Sequence, residues 1–116
     1  MDVIGLHHVN INVRDLPEAL SFYIDTLGFE LLPRPDFGFE GAWIRMGTHE
    51  LHLVVAPSAV IDRGQHFALQ VASADATAAE FDRLGLSYRR GDSLSGPGRQ
   101  LFVKDPTGNR IEFQQF

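Results

Sequence analysis

Three histidines and one glutamate lie in segments where polar and apolar residues alternate. His8 opens the segment His-Val-Asn-Ile-Asn-Val, and His66 opens His-Phe-Ala-Leu-Gln-Val 58 residues later. His52 stands between two leucines, and Glu112 stands 60 residues later between isoleucine and phenylalanine. Imidazole and carboxylate groups are ligands for Zn, Ni, Mn, Co and Fe, and an imidazole-rich set favours Zn or Ni over Mg. The four residues are therefore candidate ligands of one divalent metal ion.

The alternation also predicts where these side chains point. Successive residues of a strand face opposite sides, so His8, Asn10 and Asn12 share one face and the intervening apolar residues share the other. A helix needs the apolar face to pack on, so the candidate ligands should face a cleft. A lone histidine in a strand is more often a hydrogen-bonded structural residue than a ligand. The repeated, in-phase placement of all four is what favours a metal site.

The two halves of the chain have the same order of predicted elements. Each alternating strand leads into a helical pattern, the first capped by Asp15 and ended by Gly28, the second capped by Ser73 or Asp75 and ended by Gly85. Further strands are predicted at about 29–34, 41–46, 50–56, 86–91, 99–104 and 109–115. The predicted fold is one α+β domain, 1–116, made of two βαβββ modules with curved mixed sheets, over about 3–56 and 64–116.

Composition argues against several classes of protein. The net charge is −5 and the basic residues are scattered, which argues against a nucleic-acid partner. No apolar run approaches the ~20 residues of a membrane helix, and the first residues lack the pattern of a signal peptide. The absence of cysteine excludes thiolate ligands and disulfides and makes the cytoplasm the expected compartment. A chain of 116 residues buries about two thirds of its unfolded surface, so a dimer interface would add stability.

Four segments together carry a resemblance to a known family. They are Leu6-His7-His8-Val9, Phe22-Tyr23 through Leu27-Gly28-Phe29, the strand opened by His66, and Asp105-Pro106-Thr107-Gly108-Asn109-Arg110-Ile111-Glu112. With these segments the whole chain resembles the vicinal-oxygen-chelate superfamily. That superfamily includes glyoxalase I, methylmalonyl-CoA epimerase, fosfomycin-resistance thiol transferases, extradiol dioxygenases and bleomycin-binding proteins.

The resemblance implies a site and an assembly. His8 and the residue at position 52 would come from one module, and His66 and Glu112 from the other, in a homodimer whose site is shared between subunits. Glyoxalase I usually has a glutamate at the position of His52, and the epimerases have a glutamine. With a histidine at this position, the chain resembles a glyoxalase-I-like subgroup whose members share that histidine.

Further residues are candidate contacts for a small-molecule substrate. Asn10 shares the face of His8, and Trp43 and Phe102 either line an apolar pocket or pack in the core. Arg99 either binds an anionic group or is exposed.

The resemblance implies a divalent-metal-dependent lyase or isomerase of glyoxalase-I type. Its substrate would chelate the metal through adjacent oxygens, as a 2-oxoaldehyde–thiol hemithioacetal does, and the metal would stabilise an enediolate. Glu112 is the one carboxylate among the four ligands and would act as the base. The alternatives are a fosfomycin-type thiol transferase, an extradiol dioxygenase, and, from another class, a metal-free binding protein similar to the bleomycin-resistance proteins.

Overall fold

The computed structural model describes residues 1–116, which form two compact units, Met1–Val60 and Ile61–Phe116. Each unit contains a four-stranded mixed sheet and helical structure in the order strand, helix, three strands. The predicted α+β fold of two βαβββ modules is therefore confirmed. None of the helices combines the length and apolar character of a membrane-spanning segment.

The first unit is built around its first and last strands. Its elements are β1 (His8–Val13), α1 (Leu16–Leu20) continued by a π-helical segment (Ser21–Thr26), β2 (Glu30–Leu32), β3 (Gly41–Met46) and β4 (His49–Val55). The sheet order is β1-β4-β3-β2, with β1 and β4 parallel and the other pairs antiparallel.

The second unit repeats this arrangement. Its elements are β5 (His66–Gln70), α2 (Ala74–Leu84), β6 (Arg89–Ser93), β7 (Gly96–Lys104) and β8 (Arg110–Gln114). The sheet order is β5-β8-β7-β6, again with the first and last strands parallel. A parallel pair needs a long crossover between its strands, and here the helix and two antiparallel strands provide it.

Strand parity separates a buried face from an open one in both sheets. In the first unit Ala42, Ile44, Leu51 and Leu53 are buried, and in the second unit Leu101, Val103, Ile111 and Phe113 are buried. In the second unit α2 packs against β7, and the Phe81 ring lies 5.2 Å from the Phe113 ring. His52 and Glu112 alternate with these core residues, so they lie on the opposite face of their sheets.

The helix starts follow the predicted caps, but the first helix changes its pitch. Asp15 accepts a hydrogen bond from the Glu18 N–H at 2.9 Å, and Ser73 accepts one from the Ala76 N–H at 3.1 Å. After Leu20 the helix widens, and the Leu27 N–H bonds to the Phe22 carbonyl five residues back. The helix predicted between Asp15 and Gly28 is therefore present, and its second half is π-helical. The adjacent rings of Phe22 and Tyr23, both in this segment, are buried.

Some predicted strand ends shift by a few residues. β2 stops at Leu32 rather than residue 34, because Pro33 and Pro35 lack the N–H groups that a ladder needs. β6 begins at Arg89 rather than residue 86. β7 begins at Gly96 rather than residue 99, because Gly96 pairs with Ser93 next to the hairpin turn.

The turn before β8 is held by a buried carboxylate. Asp105 accepts hydrogen bonds from the Gly108 N–H at 2.9 Å, the Asn109 N–H at 2.8 Å and the Asn109 Nδ2 at 2.9 Å. Gly108 adopts φ +103°, which a residue with a side chain rarely does. This turn fixes the start of the strand that carries Glu112.

Replacing Asp105 by alanine should therefore lower the free energy of unfolding by roughly 3 kcal/mol, because it leaves buried donors without an acceptor. Urea denaturation followed by circular dichroism measures the change. Asp36→Ala is the matched control, since Asp36 is exposed and accepts a single turn bond from Gly38. The Asp36→Ala variant should lose less than about 1 kcal/mol of unfolding free energy. Equal costs for the two variants would contradict a special role for the Asp105 turn.

Candidate functional site

In the second unit the parallel pairing of β5 with β8 brings His66 and Glu112 together. Ala68 is the register partner of Glu112, and His66 is the partner of Arg110, so the two candidate ligands are diagonal neighbours on one face. The His66 Nε2 lies 3.1 Å from the Glu112 Oε2. The Glu112 side chain is nearly buried, whereas the His66 side chain is 39% exposed. A partly exposed imidazole thus meets a nearly buried carboxylate.

A third residue, which the sequence interpretation missed, fixes the glutamate. The Gln100 Nε2 donates a hydrogen bond of 2.8 Å to the Glu112 Oε1. This contact leaves the other carboxylate oxygen directed at His66. The sequence held only part of the signal: Gln100 shares the parity of Phe102, but the pairing of Phe102 with Glu112 is seen only in the structure.

The protons of His66 can be assigned from its partners. Its Nδ1 lies 2.8 Å from the Gly64 carbonyl, which only accepts, so the Nδ1 carries a hydrogen. The Nε2 then either carries a second proton or presents a lone pair to the Glu112 carboxylate. In the neutral tautomer with the hydrogen on Nδ1, two acceptors face each other, an arrangement that a bound cation would stabilise. A backbone carbonyl that orients the far nitrogen is a usual feature of metal-binding histidines.

The spacing of this pair suits a divalent ion. Two donors at right angles on an ion with bonds of about 2.1–2.2 Å are separated by about 3.0 Å. The observed separation of Nε2 and Oε2 is 3.1 Å. His66 and Glu112 therefore fit the donor set and the spacing of two adjacent metal ligands.

In the first unit the equivalent pairing brings His8 and His52 together as stacked rings. Asn10 is the register partner of His52 in the parallel pair of β1 and β4. The His8 and His52 ring centroids are 4.0 Å apart with an interplanar angle of 18°. Trp43 stacks on the other side of His52 at 4.5 Å. The three rings form one column on the face opposite the core.

Glu50 is a second residue that the sequence interpretation missed. Its Oε1 lies 3.0 Å from the His52 Nε2, and it is the register partner of His8. The hydrogen bond from His52 lowers the pKa of the Glu50 carboxyl, with smaller electrostatic contributions from His7, His52 and Arg45. The sequence did contain the signal, because Glu50 and His52 are two residues apart on one strand and so share a face.

The four predicted ligands thus form two pairs, one in each unit. No three of the chain's histidine, aspartate and glutamate side chains are grouped closely enough to hold a metal ion. The four-ligand site of His8, His52, His66 and Glu112 stays a prediction.

The predicted substrate contacts fall in three settings. Asn10 is exposed on β1 beside the column of three rings, and Trp43 is one of those rings. Phe102 lies edge-on to His66, with ring centroids 6.0 Å apart. Arg99 has the parity of Leu101 on β7, opposite to that of Phe102, so the structure does not bring it to the face of Glu112.

The chain is similar to known proteins in both sequence and fold. Residues 5–113 match the model of the Glyoxalase/Bleomycin resistance protein/Dioxygenase superfamily. The chain is 31% identical to Glyoxylase I 4 of Arabidopsis thaliana, over 93% of this chain and 68% of that protein. It is 34% identical to biphenyl-2,3-diol 1,2-dioxygenase of Paraburkholderia xenovorans, over 94% of this chain but only 40% of that protein.

A solved structure agrees with this match. A glyoxalase family protein from Bacillus anthracis superimposes with a TM-score of 0.85 at 29% identity, over 99% of this chain and 97% of that one. Both the duplicated fold and the matched residues therefore lead to one conclusion: the chain belongs to the Glyoxalase/Bleomycin resistance protein/Dioxygenase superfamily.

Proposed function

We propose that the chain is a divalent-metal-dependent, glyoxalase-I-like lyase or isomerase that acts on a small oxygen-chelating substrate, such as a 2-oxoaldehyde–thiol hemithioacetal. The observation that carries the proposal is the pair of His66 Nε2 and Glu112 Oε2, 3.1 Å apart, in which two ligand-type atoms face each other. The similarity to Glyoxylase I 4 of Arabidopsis thaliana supports the choice of reaction class.

In this proposal His8, His52, His66 and Glu112 hold the metal. The imidazole-rich set favours Zn or Ni over Mg, and it is also compatible with Mn, Co or Fe. The bound ion would stabilise negative charge on adjacent substrate oxygens. Glu112 would move a proton between adjacent substrate carbons, with Gln100 holding its other oxygen so that Oε2 stays directed at the cleft. The Gly64 carbonyl would keep the His66 Nε2 available as a ligand.

We also propose a homodimer. The two pairs belong to different units, and neither pair alone supplies the three or four protein ligands of a catalytic metal site. One copy would contribute His8 and His52, and the other His66 and Glu112. Apolar side chains that are exposed in the single chain, such as Leu6, Leu31 and Phe39, are available for such an interface.

A second candidate function is suggested by Glu50. Unlike Glu112, Glu50 is not one of the four predicted ligands, and its hydrogen bond to the His52 Nε2 competes with a metal for that nitrogen. Without His52, the remaining set is His8, His66 and Glu112, the two-histidine, one-carboxylate set of non-haem Fe(II) oxygenases. The 34% identity to a biphenyl-2,3-diol dioxygenase agrees with this second reading, although the chain spans well under half of that protein.

Metal binding should depend on the second-unit pair. His66→Ala and Glu112→Gln should each weaken Zn or Ni binding by about 100-fold or more, because each removes a ligand. Isothermal titration of the chelator-treated protein measures the affinity. His49→Ala is the matched control, since His49 is an exposed histidine at the start of β4 and its removal should leave the affinity unchanged. Wild-type affinity in both ligand variants would exclude this metal site.

The role of His52 separates the two candidate functions. If the glyoxalase proposal holds, the metal-loaded protein should isomerise the methylglyoxal–glutathione hemithioacetal. His52→Ala should then weaken metal binding and lower kcat/KM by at least about tenfold. His52→Glu should raise the rate above that of His52→Ala, because it supplies a second carboxylate. Formation of the thioester product is followed by absorbance.

The opposite outcome would favour the dioxygenase. In that case His52→Ala leaves metal affinity unchanged, and the Fe(II)-loaded protein consumes oxygen with biphenyl-2,3-diol but has no hemithioacetal activity. Activity towards neither substrate, with metal bound, would reject both reactions while keeping the metal site.

The dimer is tested by sedimentation equilibrium. We expect a mass of about twice 12.9 kDa at micromolar concentration. Mixing His8→Ala with His66→Ala protein provides a complementation test, because mixed dimers should regain one intact shared site. A stable monomer that still binds metal with wild-type affinity would contradict the shared site.

A further inference from the structure

The second unit carries a positively charged cavity beside the candidate site. Its volume is ≈ 750 Å³, within the range of small-molecule sites, and it lies where β6 begins, β7 ends and β8 begins. No acidic residue lines the cavity. Four of the ten basic residues do: Arg63, Arg89, Lys104 and Arg110. This concentration of positive charge occurs in a chain whose net charge is −5.

These four cations lack carboxylate partners. Arg45, Arg83 and Arg90 form ion pairs with carboxylates, and none of them lines the cavity. The four side chains therefore keep their hydrogen-bond donors available to a ligand. Guanidinium and ammonium groups in this state are suited to phosphate and carboxylate oxygens.

The sheet register places two of the cations against each other. Lys104 is directly opposite Arg110 in the antiparallel pair of β7 and β8. Like charges in such a position are unfavourable unless an anion lies between them. At the corresponding place in the first unit, Arg45 lies opposite Glu50, which is a favourable pair. The same ladder position thus carries opposite charges in one unit and like charges in the other.

One wall of the cavity is apolar and holds a cation in place. The Arg89 guanidinium lies over the Phe102 ring at 4.7 Å from its centroid, which limits its motion and leaves its edge open. Leu86 and Tyr88 also line the cavity. A ligand that fits this surface has a negatively charged group and a flat or apolar carbon part.

We propose that this cavity binds a small organic anion, with its phosphate or carboxylate group among Arg63, Lys104 and Arg110 and its carbon part against Phe102. Phe102 also contacts His66 edge-on, so the cavity adjoins the candidate site. If the anion is the charged part of the substrate, that identification rests on the proposed function; the binding itself does not.

Phenyl phosphate is the probe, and its binding to the full chain is measured by isothermal titration with and without EDTA. We expect binding in both conditions and weaker binding as NaCl is raised. Lys104→Gln and Arg110→Gln should each weaken it by about tenfold or more, because each removes a charged donor. Arg45→Gln, which makes the same charge change at the equivalent position of the first unit, should weaken it by less than about twofold.

Three further measurements complete the test. Benzoate in place of phenyl phosphate shows whether carboxylates or phosphates are preferred, and either preference supports the site. Benzyl alcohol should not bind detectably, and equal binding of this neutral compound would overturn the proposal. Thermal melts should show that Lys104→Gln is folded and at least as stable as wild type without ligand, because it removes a repulsion. Undiminished phenyl phosphate binding by both cavity variants would also overturn it.

Discussion

The register between the first and last strands of each unit is the constraint on which the candidate sites depend. β1 pairs in parallel with β4, and β5 pairs in parallel with β8. A slip of one residue in either pair would turn a histidine or Glu112 from the open face to the core face. The buried apolar residues on the core side oppose such a slip, because it would expose them to water. The packing of the core thus fixes the placement of side chains that do not belong to it.

The two units use this common framework for different electrostatic arrangements. In the second unit a histidine faces a glutamate that a glutamine anchors, and four cations line the adjoining cavity. In the first unit two imidazoles are stacked, and one of them, His52, is hydrogen-bonded to the carboxylate of Glu50. A duplicated fold does not need both halves to bind the same chemical group. Once the backbone register is fixed, each open face is free to vary without cost to the core.

The sequence predicted the parts of the structure that follow from local periodicity. The parity of His52 and Glu112 and the caps at Asp15 and Ser73 needed only neighbouring residues. The repeat of βαβββ units followed from the 58- and 60-residue offsets between matching segments. Gln100 was missed because its hydrogen bond to Glu112 depends on the register of two paired strands and on the conformations of both side chains. The π-helical turn leaves no periodic signal, since it shifts the hydrogen bonding by a single residue. The basic cavity was missed because four separate segments of the chain contribute to it.

The column of rings in the first unit gives the protein an optical probe of its own. Trp43 is the only tryptophan in the chain, and its indole stacks on the His52 imidazole at 4.5 Å. The electrons of an indole face respond to a positive charge at that distance. Protonation of His52, or a ligand on its ring nitrogen, would therefore alter the emission of a single fluorophore. Events at this imidazole can be followed in the unlabelled protein, in real time, without a reaction product to measure.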